Sequence, residues 1–414
     1  LILLKSFIFL KGFFLFLHKI DLMNYILFDG PSRNNLLPLT YTRPVADIRV
    51  GILTIREKWE TFLQSTITSV TEDYLSDKFP MVEFDENIFI NASFLPDPEI
   101  VKQITSLKPN ELINSGDDLV AFYSSEKQDE VNLDSFKKIN HKQDLLKVKK
   151  LIDLFNINSL AIEADFNFIT KDRISSKISI TNNLICPENI FIEDGVKMEY
   201  VTLNASNGPI YIANECEIME GSLIRGPFAL CEKSIIKLGA KIYGGTTIGP
   251  YCKIGGEVNN SIVQGYSNKG HDGFLGNSLI GEWCNLGADT NTSNLKNNYA
   301  DVKIWDYEND KFSSTGEQFC GLIMGDHSKS AINTMFNTGT VVGVCSNVFG
   351  SGFPRNFIPS FSWGGNKGFT DYKIEKVFEV NAKVMNRRNC IFSDIDKKIL
   401  SHLNSITSHY RSNF

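Results

Sequence analysis

A basic excess is missing from this sequence: 42 Lys+Arg stand against 48 Asp+Glu, a formal net charge of −6. Tracking a phosphate backbone needs the opposite balance, so nucleic acid is not an expected partner. Paired cysteines are missing too. The eight present all lie from Cys186 onward, form no CxxC pair and have no histidine at metal-ligand spacing. That argues against a disulfide framework and a zinc site, and fits a reducing cytoplasm. Of six histidines, His271 and His327 alone fall in the repetitive region described below, too few for a zinc centre held by three histidines. One long apolar run occurs, residues 1–22. It carries scattered Lys, is followed by no small-residue cleavage site, and directly precedes Met23. Met23 is the expected native start and residues 1–22 an upstream extension, which leaves nothing to target a membrane.

What is present is a repeat. The chain's 414 residues leave room for two or three domains, and part of that length carries a strict period. Ile212, Ile218, Ile224, Leu230, Ile236, Ile242, Ile248 and Ile254 are eight aliphatic residues at a spacing of six. Because Ile, Leu and Val make up about a quarter of residues, chance register is on the order of one in 10⁵ per starting point. No helix or ordinary strand has this period. It is the mark of a three-sided parallel β-helix, with the aliphatic anchor inside and a small residue four places on at the corner. Cys216, Ser222, Phe228, Ser234, Ala240, Thr246, Cys252 and Val258 occupy that second position, and Gly221, Gly239, Gly245, Gly249 and Gly255 fall at the turns. The register resumes at Ile280 and Leu286, and again at Met324, Ser330, Phe336, Val342 and Val348. Residues 263–278 and 293–320 break the period and are expected as surface loops, where function concentrates on a rigid scaffold.

Residues 23–175 lack the six-residue period and mix strand-like runs, such as Ile88 to Asn91 and Leu160 to Ile162, with a helical stretch over 142–155, the pattern of an α/β domain. Its first strand ends in Phe28-Asp29-Gly30, followed by Arg33 and Arg43. A glycine turn after a strand, with arginines downstream, suits a nucleotide phosphate, and equally suits an ordinary turn. Past the repeat, which ends near residue 365, residues 366–414 form a helical tail. Its amphipathic segment over 372–392 is expected to pack on the β-helix or cap its open end.

These features together resemble the GlmU-like bifunctional enzymes, UDP-N-acetylglucosamine diphosphorylase and glucosamine-1-phosphate N-acetyltransferase, in their Bacteroidetes-type variant. The resemblance covers residues 23–390 and is most specific at 36–57, 270–294 and 358–365. It implies a nucleotidyltransferase-like α/β domain, a left-handed parallel β-helix of hexapeptide repeats over 176–365, a homotrimer, acetyl-CoA as acyl donor, and a sugar phosphate and a nucleotide as small-molecule partners. Gly270-His271, Leu275-Gly276 and Asn285 to Asn294 match the acetyltransferase motif. His271 thereby becomes the general base, a role for which an imidazole titrating near neutrality is suited. Glu257, Asn285 and Asn294 fall at acceptor-binding positions, and Lys296, Lys303 and Lys329 are cations available to the phosphates of CoA. In the N-terminal domain the resemblance assigns Gly30, Arg33 and Arg43 to nucleotide and brings Mg²⁺ with it, although Asn91 stands where the metal-binding Asp is expected, and an amide is the poorer ligand. Phe274, Asn259 and Leu295 also depart from the family's Tyr, Lys and Tyr, which leaves the acceptor sugar open. Two other readings remain: a nucleotidyltransferase with a purely structural β-helix, and a nucleotide-sugar binding protein without turnover.

Overall fold

The structure is a computed structural model that describes residues 23–125 and 132–412; the expected upstream extension lies outside the described residues. Six strands between residues 24 and 140 form one sheet. Its strands are β1 (Asn24–Phe28), β2 (Thr68–Val70), β3 (Asn87–Asn91), β4 (Glu111–Ser115), β5 (Asp118–Ser124) and β6 (Lys137–Asn140), in the order β2-β1-β3-β5-β4-β6. β1 runs parallel to β2 on one side and to β3 on the other. Its sequence, NYILF, shows no polar alternation because all but its last residue is buried.

Four α-helices surround the sheet: α1 (Ile55–Leu63), α2 (Asp73–Ser76), α3 (Pro98–Thr105) and α4 (Leu151–Ile169). α1 opens on a capping box in which Thr54 accepts from the Glu57 amide and Glu57 accepts from the Thr54 amide. α3 opens on Asp97, which accepts from the amides of Glu99 and Ile100, with Pro98 in the first turn where its missing N–H costs nothing. α4 corrects two expectations. The helix starts at Leu151 rather than near 142, and the strand-like run Leu160 to Ile162 lies inside it. The cause is burial on two sides: Leu151, Phe155 and Ala161 enter the core of the α/β domain, whereas Ile162 and Phe166 enter that of the β-helix. A helix wedged between two layers is apolar nearly all round, and a short window of it reads like a buried strand.

From Asn183 onward the chain winds through three parallel sheets. Face A runs from Asn183–Ile185 to Phe274–Gly276, face B from Ile190–Ile192 to Phe357–Ile358, and face C from Lys197–Met198 to the final hairpin, Ser362–Gly365 with Gly368–Asp371. The predicted anchors stack in register: Ile212 on Leu230 on Ile248, Ile218 on Ile236 on Ile254, and Ile224 on Ile242. All are buried, and each contributes roughly 1.5–3 kcal/mol.

Residues 263–278 do not form a loop. Ile242 pairs with Val258, Ile248 with Val263 and Ile254 with Lys269, so the coil shortens below eighteen residues and carries on. Val258 is thus an anchor rather than a corner residue. Residues 293–320 do leave the prism, at the corner between faces A and B, as an antiparallel hairpin pairing Lys303–Asp306 with Lys311–Ser314. Of the turn glycines, Gly221, Gly239 and Gly245 have positive φ, whereas Gly249 serves by lacking a Cβ, which would lie 1.9 Å from the Gln264 carbonyl oxygen.

The α/β domain docks on face B. Asn158 on α4 donates to the Gly245 carbonyl and Thr247 Oγ1, Thr247 donates to the Gly51 carbonyl, and Gln264 exchanges two bonds with the Arg49 backbone. Two C-terminal helices follow, α5 (Ile374–Asn386) over the expected amphipathic segment and α6 (Asp394–Ile406) in the remainder of the expected helical tail. They pack on the edge where faces B and C meet, in a cluster joining Trp283, Val344 and Phe361 of the prism to Val377, Leu400 and Leu403, with Tyr41 and Leu75 of the α/β domain. They therefore cover a flank of the prism. Among the described residues, no helix is long and apolar enough to cross a membrane.

Candidate functional site

With face B covered and the edge between faces B and C occupied, face A remains open. Its outward residues include Leu223, Tyr243 and Met335, which are 53%, 44% and 38% exposed. His271 sits on the turn from face C to face A, between strands Asn268–Lys269 and Phe274–Gly276, with its side chain in solvent. Among the described residues its imidazole makes no hydrogen bond, so both ring nitrogens are available. Glu257 and Phe274 are cross-strand neighbours on face A. Asn294 lies at the far edge of the same face, where its Nδ2 donates to Asn277 Oδ1 at 2.8 Å. A Cβ on Gly276 would meet both the tip of the Phe274 ring, at 2.5 Å, and Asn294 Nδ2, at 2.7 Å. The ring therefore reaches across a bare glycine from the histidine's edge toward Asn294. His271, Glu257 and Asn294 thus share one open face. Asn285 does not join them: it is exposed on face C, beside Asn268.

The residue beneath His271 was not anticipated. Lys269 stands directly above Ile254, in an anchor slot, and is buried. Its Nζ donates to the carbonyls of Gly255 and His271, at 3.0 and 2.9 Å, tying the histidine turn to the prism interior. Burial pulls its pKa down to about 8 against the partial opposition of Asp272 and Asp289. The sequence signal was a lysine at the place where the aliphatic column of face C should continue.

Lys296 and Lys303 line a cavity of about 710 Å³ together with Arg355, Trp305 and Phe357. Lys329 is not free, since its Nζ donates to the His327 carbonyl at 2.8 Å and burial lowers its pKa.

In the α/β domain the chain leaves β1 toward β2 on one side and returns through β3 on the other. The carboxyl ends of β1 and β3 therefore form a topological switch point, where open α/β sheets bind ligands. A cavity of about 390 Å³ opens there, lined by Phe28, Ser32, Asn91, Ser93, Lys147 and Lys149 among others. Gly30 has φ +61° and lies against Asn91, whose Oδ1 would be 3.2 Å from an added Cβ.

The two arginines are engaged inside the protein. Arg33 pairs with Asp29 at 3.0 Å and with Glu72 at 3.3 Å, and also donates to the Thr40 carbonyl and Tyr74 hydroxyl. Arg43 bridges to Asp326 and, at 3.0 Å, to Glu282 of the prism. Neither has the free fork that phosphate binding requires. The cations that do face the crevice are Lys147 and Lys149, which share the Asp118 carboxylate at 3.2 and 2.6 Å. These interactions hold the Asp118 pKa below the usual carboxylate range, the hydrogen bond from Lys149 foremost.

Mg²⁺ does not suit this crevice. Asn91 Nδ2 donates to the Leu119 carbonyl, its Oδ1 accepts from the Ser93 amide, and Asp118 is held by lysines. Among the described residues no cluster of three or more His, Cys, Asp or Glu side chains could hold a metal ion.

No curated protein matches the chain. Among solved structures, the UDP-N-acetylglucosamine acyltransferase of Arabidopsis is 13% identical over 57% of this chain and 94% of its own, with a TM-score of 0.20. The corresponding acyltransferase of Campylobacter jejuni is 14% identical over 57% and 84%, with a TM-score of 0.21. AntD, an N-acyltransferase from Bacillus cereus solved as a point mutant with dTDP-4-amino-4,6-dideoxyglucose and coenzyme A, is 12% identical over 52% and 100%, with a TM-score of 0.21. Residues 25–174, which span the switch-point crevice and its lysines, match the family model for sugar nucleotidyl transferases.

Proposed function

We propose that the chain is a sugar-phosphate acyltransferase that moves the acetyl group of acetyl-CoA to the amine of glucosamine 1-phosphate or a related amino sugar. On this reading it works in the cytoplasm as a homotrimer, in nucleotide-sugar biosynthesis, and its α/β domain holds a nucleotide sugar. The observation that carries it is the placement of His271, solvent-facing and without a ring partner, at one edge of the open face that also holds Glu257, Phe274 and Asn294.

The chemistry needs one base. His271 takes a proton from the acceptor amine as its lone pair attacks the thioester carbonyl; the C–N bond forms, the C–S bond breaks, and the thiolate of CoA leaves. Lys269 contributes by fixing the backbone on which the imidazole stands. Lys296, Lys303 and Arg355, at the opposite edge of face A, supply charge for the phosphates of CoA. A donor that reaches both edges lies along face A or bridges two prisms, which is what a trimer provides. Phe274 presents a hydrophobic ring to the acceptor and favours one that does not rely on a hydroxyl at that point.

A second reading has support in the α/β domain. With Asn91 and Asp118 engaged, that domain is better suited to holding a nucleotide sugar than to turning it over. The test is acetyl-CoA turnover by residues 23–414, followed as thiol release with glucosamine 1-phosphate and other amino sugars. Acceptor-dependent release should fall at least about 100-fold in His271→Ala. Release undiminished in that variant, or no release with any acceptor, removes the acyltransferase reading.

A further inference from the structure

The switch-point crevice does not end at the α/β domain. A cavity of about 520 Å³ continues from it, sharing Asn35, Lys147 and Lys149, and its far wall belongs to the β-helix: Trp305, Tyr307 and Thr315 of the 303–314 hairpin and the residue after it. Lys150, exposed at the start of α4, joins Lys147 and Lys149 on the near wall. Three lysines in four residues face Asp118 as the carboxylate bonded to two of them, while the nearby Asp153 accepts from the Lys149 and Lys150 amides and Asp306 is held by Asn309 and Ser313. Opposite these cations, Trp305 Nε1 and Tyr307 Oη are buried without a hydrogen-bond partner among the described residues. Those two atoms are enclosed by protein, so what the two side chains offer the cavity is ring surface, which suits the uncharged end of a ligand whose charge lies at the lysines.

We propose that the inserted hairpin of the β-helix completes the ligand site of the α/β domain. One phosphate-bearing ligand, a nucleotide-linked sugar, spans both cavities, with its phosphates at Lys147, Lys149 and Lys150 and its uncharged end against Trp305 and Tyr307. This rests on the reading of the α/β domain as a nucleotide-sugar binder and adds that the two domains share the ligand. The hairpin then has a use that a merely structural insertion lacks: it supplies one wall of the ligand site.

Titration calorimetry with UDP-N-acetylglucosamine as probe tests this on residues 23–414 and on Lys149→Ala, Lys150→Ala and Trp305→Leu, with thermal melts to confirm folding. The expected result is binding that weakens at least 10-fold in each variant. Lys150→Ala alters an exposed side chain, so it keeps the test open should Trp305→Leu fail to fold. Binding weakened by Lys149→Ala but unchanged by Lys150→Ala or a folded Trp305→Leu overturns the shared site and leaves the nucleotide reading standing. No binding by the unsubstituted protein overturns both.

Discussion

Lys269 shows how far one residue can depart from a pattern and what that costs. An ammonium group occupies a column built for aliphatic side chains, and burial lowers its pKa from 10.5 to about 8. Below pH 8 the folded and unfolded states both hold the proton, and the native state carries the full penalty of a buried charge. Between pH 8 and 10.5 the native state releases its proton first, so stability rises with pH through that window and levels off above it. At about 1.4 kcal/mol per unit, the rise is roughly 3 kcal/mol. Urea midpoints at pH 7.5 and 10.5 should show that rise in the unsubstituted protein relative to Lys269→Met, which lacks the titrating group. Equal pH dependence in the two would contradict the placement. The same variant cuts the tie to the His271 carbonyl, so the acetyl transfer proposed above should slow even where stability is higher. Trp283 and His327 illustrate the opposite case. They stack at a corner of successive coils and take a left-handed conformation there, without any glycine to announce it.

Among the elements, the segment around Gly51 is tightly constrained. Gly51 has φ +75°, and a Cβ there would lie 2.5 Å from Asp165 Oδ2 and 2.8 Å from the Ala161 carbonyl carbon on α4. Asp165 pairs with the buried Lys58 and accepts from the Ile52 amide at 2.7 Å, so it has no room to move. Gly51→Ala should therefore cost more than about 2 kcal/mol, from both strain and displacement. Gly116→Ala has an equally left-handed φ of +60° but open space around it, and should cost about 1 kcal/mol. Thermal denaturation of the two variants separates the terms, and equal losses would refute the packing contribution. The strands of the prism were legible because a period of six is produced by no other element. α4 was not, because its apolar residues serve two cores at once. The coil over 263–278 was missed for a related reason, since shortened coils keep their strands while losing their spacing.

At the scale of the molecule, the α/β domain and the prism are one body joined by polar groups as well as apolar ones. Arg43, buried, bridges to Asp326 and Glu282, and Thr42 donates to Asp326 at 2.6 Å. Nearby carboxylates hold the Arg43 pKa above its ordinary value against the opposing effect of burial. Removing one partner of such a pair strands the other, so Arg43→Ala should destabilise by about 3–5 kcal/mol. It should also split a single denaturation transition into two as the domains uncouple. Arg43→Met with Asp326→Leu, which removes both charges, should recover much of the loss. A double variant as unstable as Arg43→Ala alone would contradict the ion-pair account.

The repeat, and the presence of an α/β domain, a β-helix and C-terminal helices, were legible along the chain, because periodicity is local and survives in one dimension; His271 was singled out only through the family resemblance, and its role as base is a proposal. Which face of the prism stays open, and that Arg33 and Arg43 are bound internally, emerged only from the folded arrangement. So did the meeting of Lys147, Lys149 and Lys150 with a hairpin more than 150 residues away. Each of these follows from packing between segments far apart in the chain, where charge and burial are settled by neighbours that no local pattern contains.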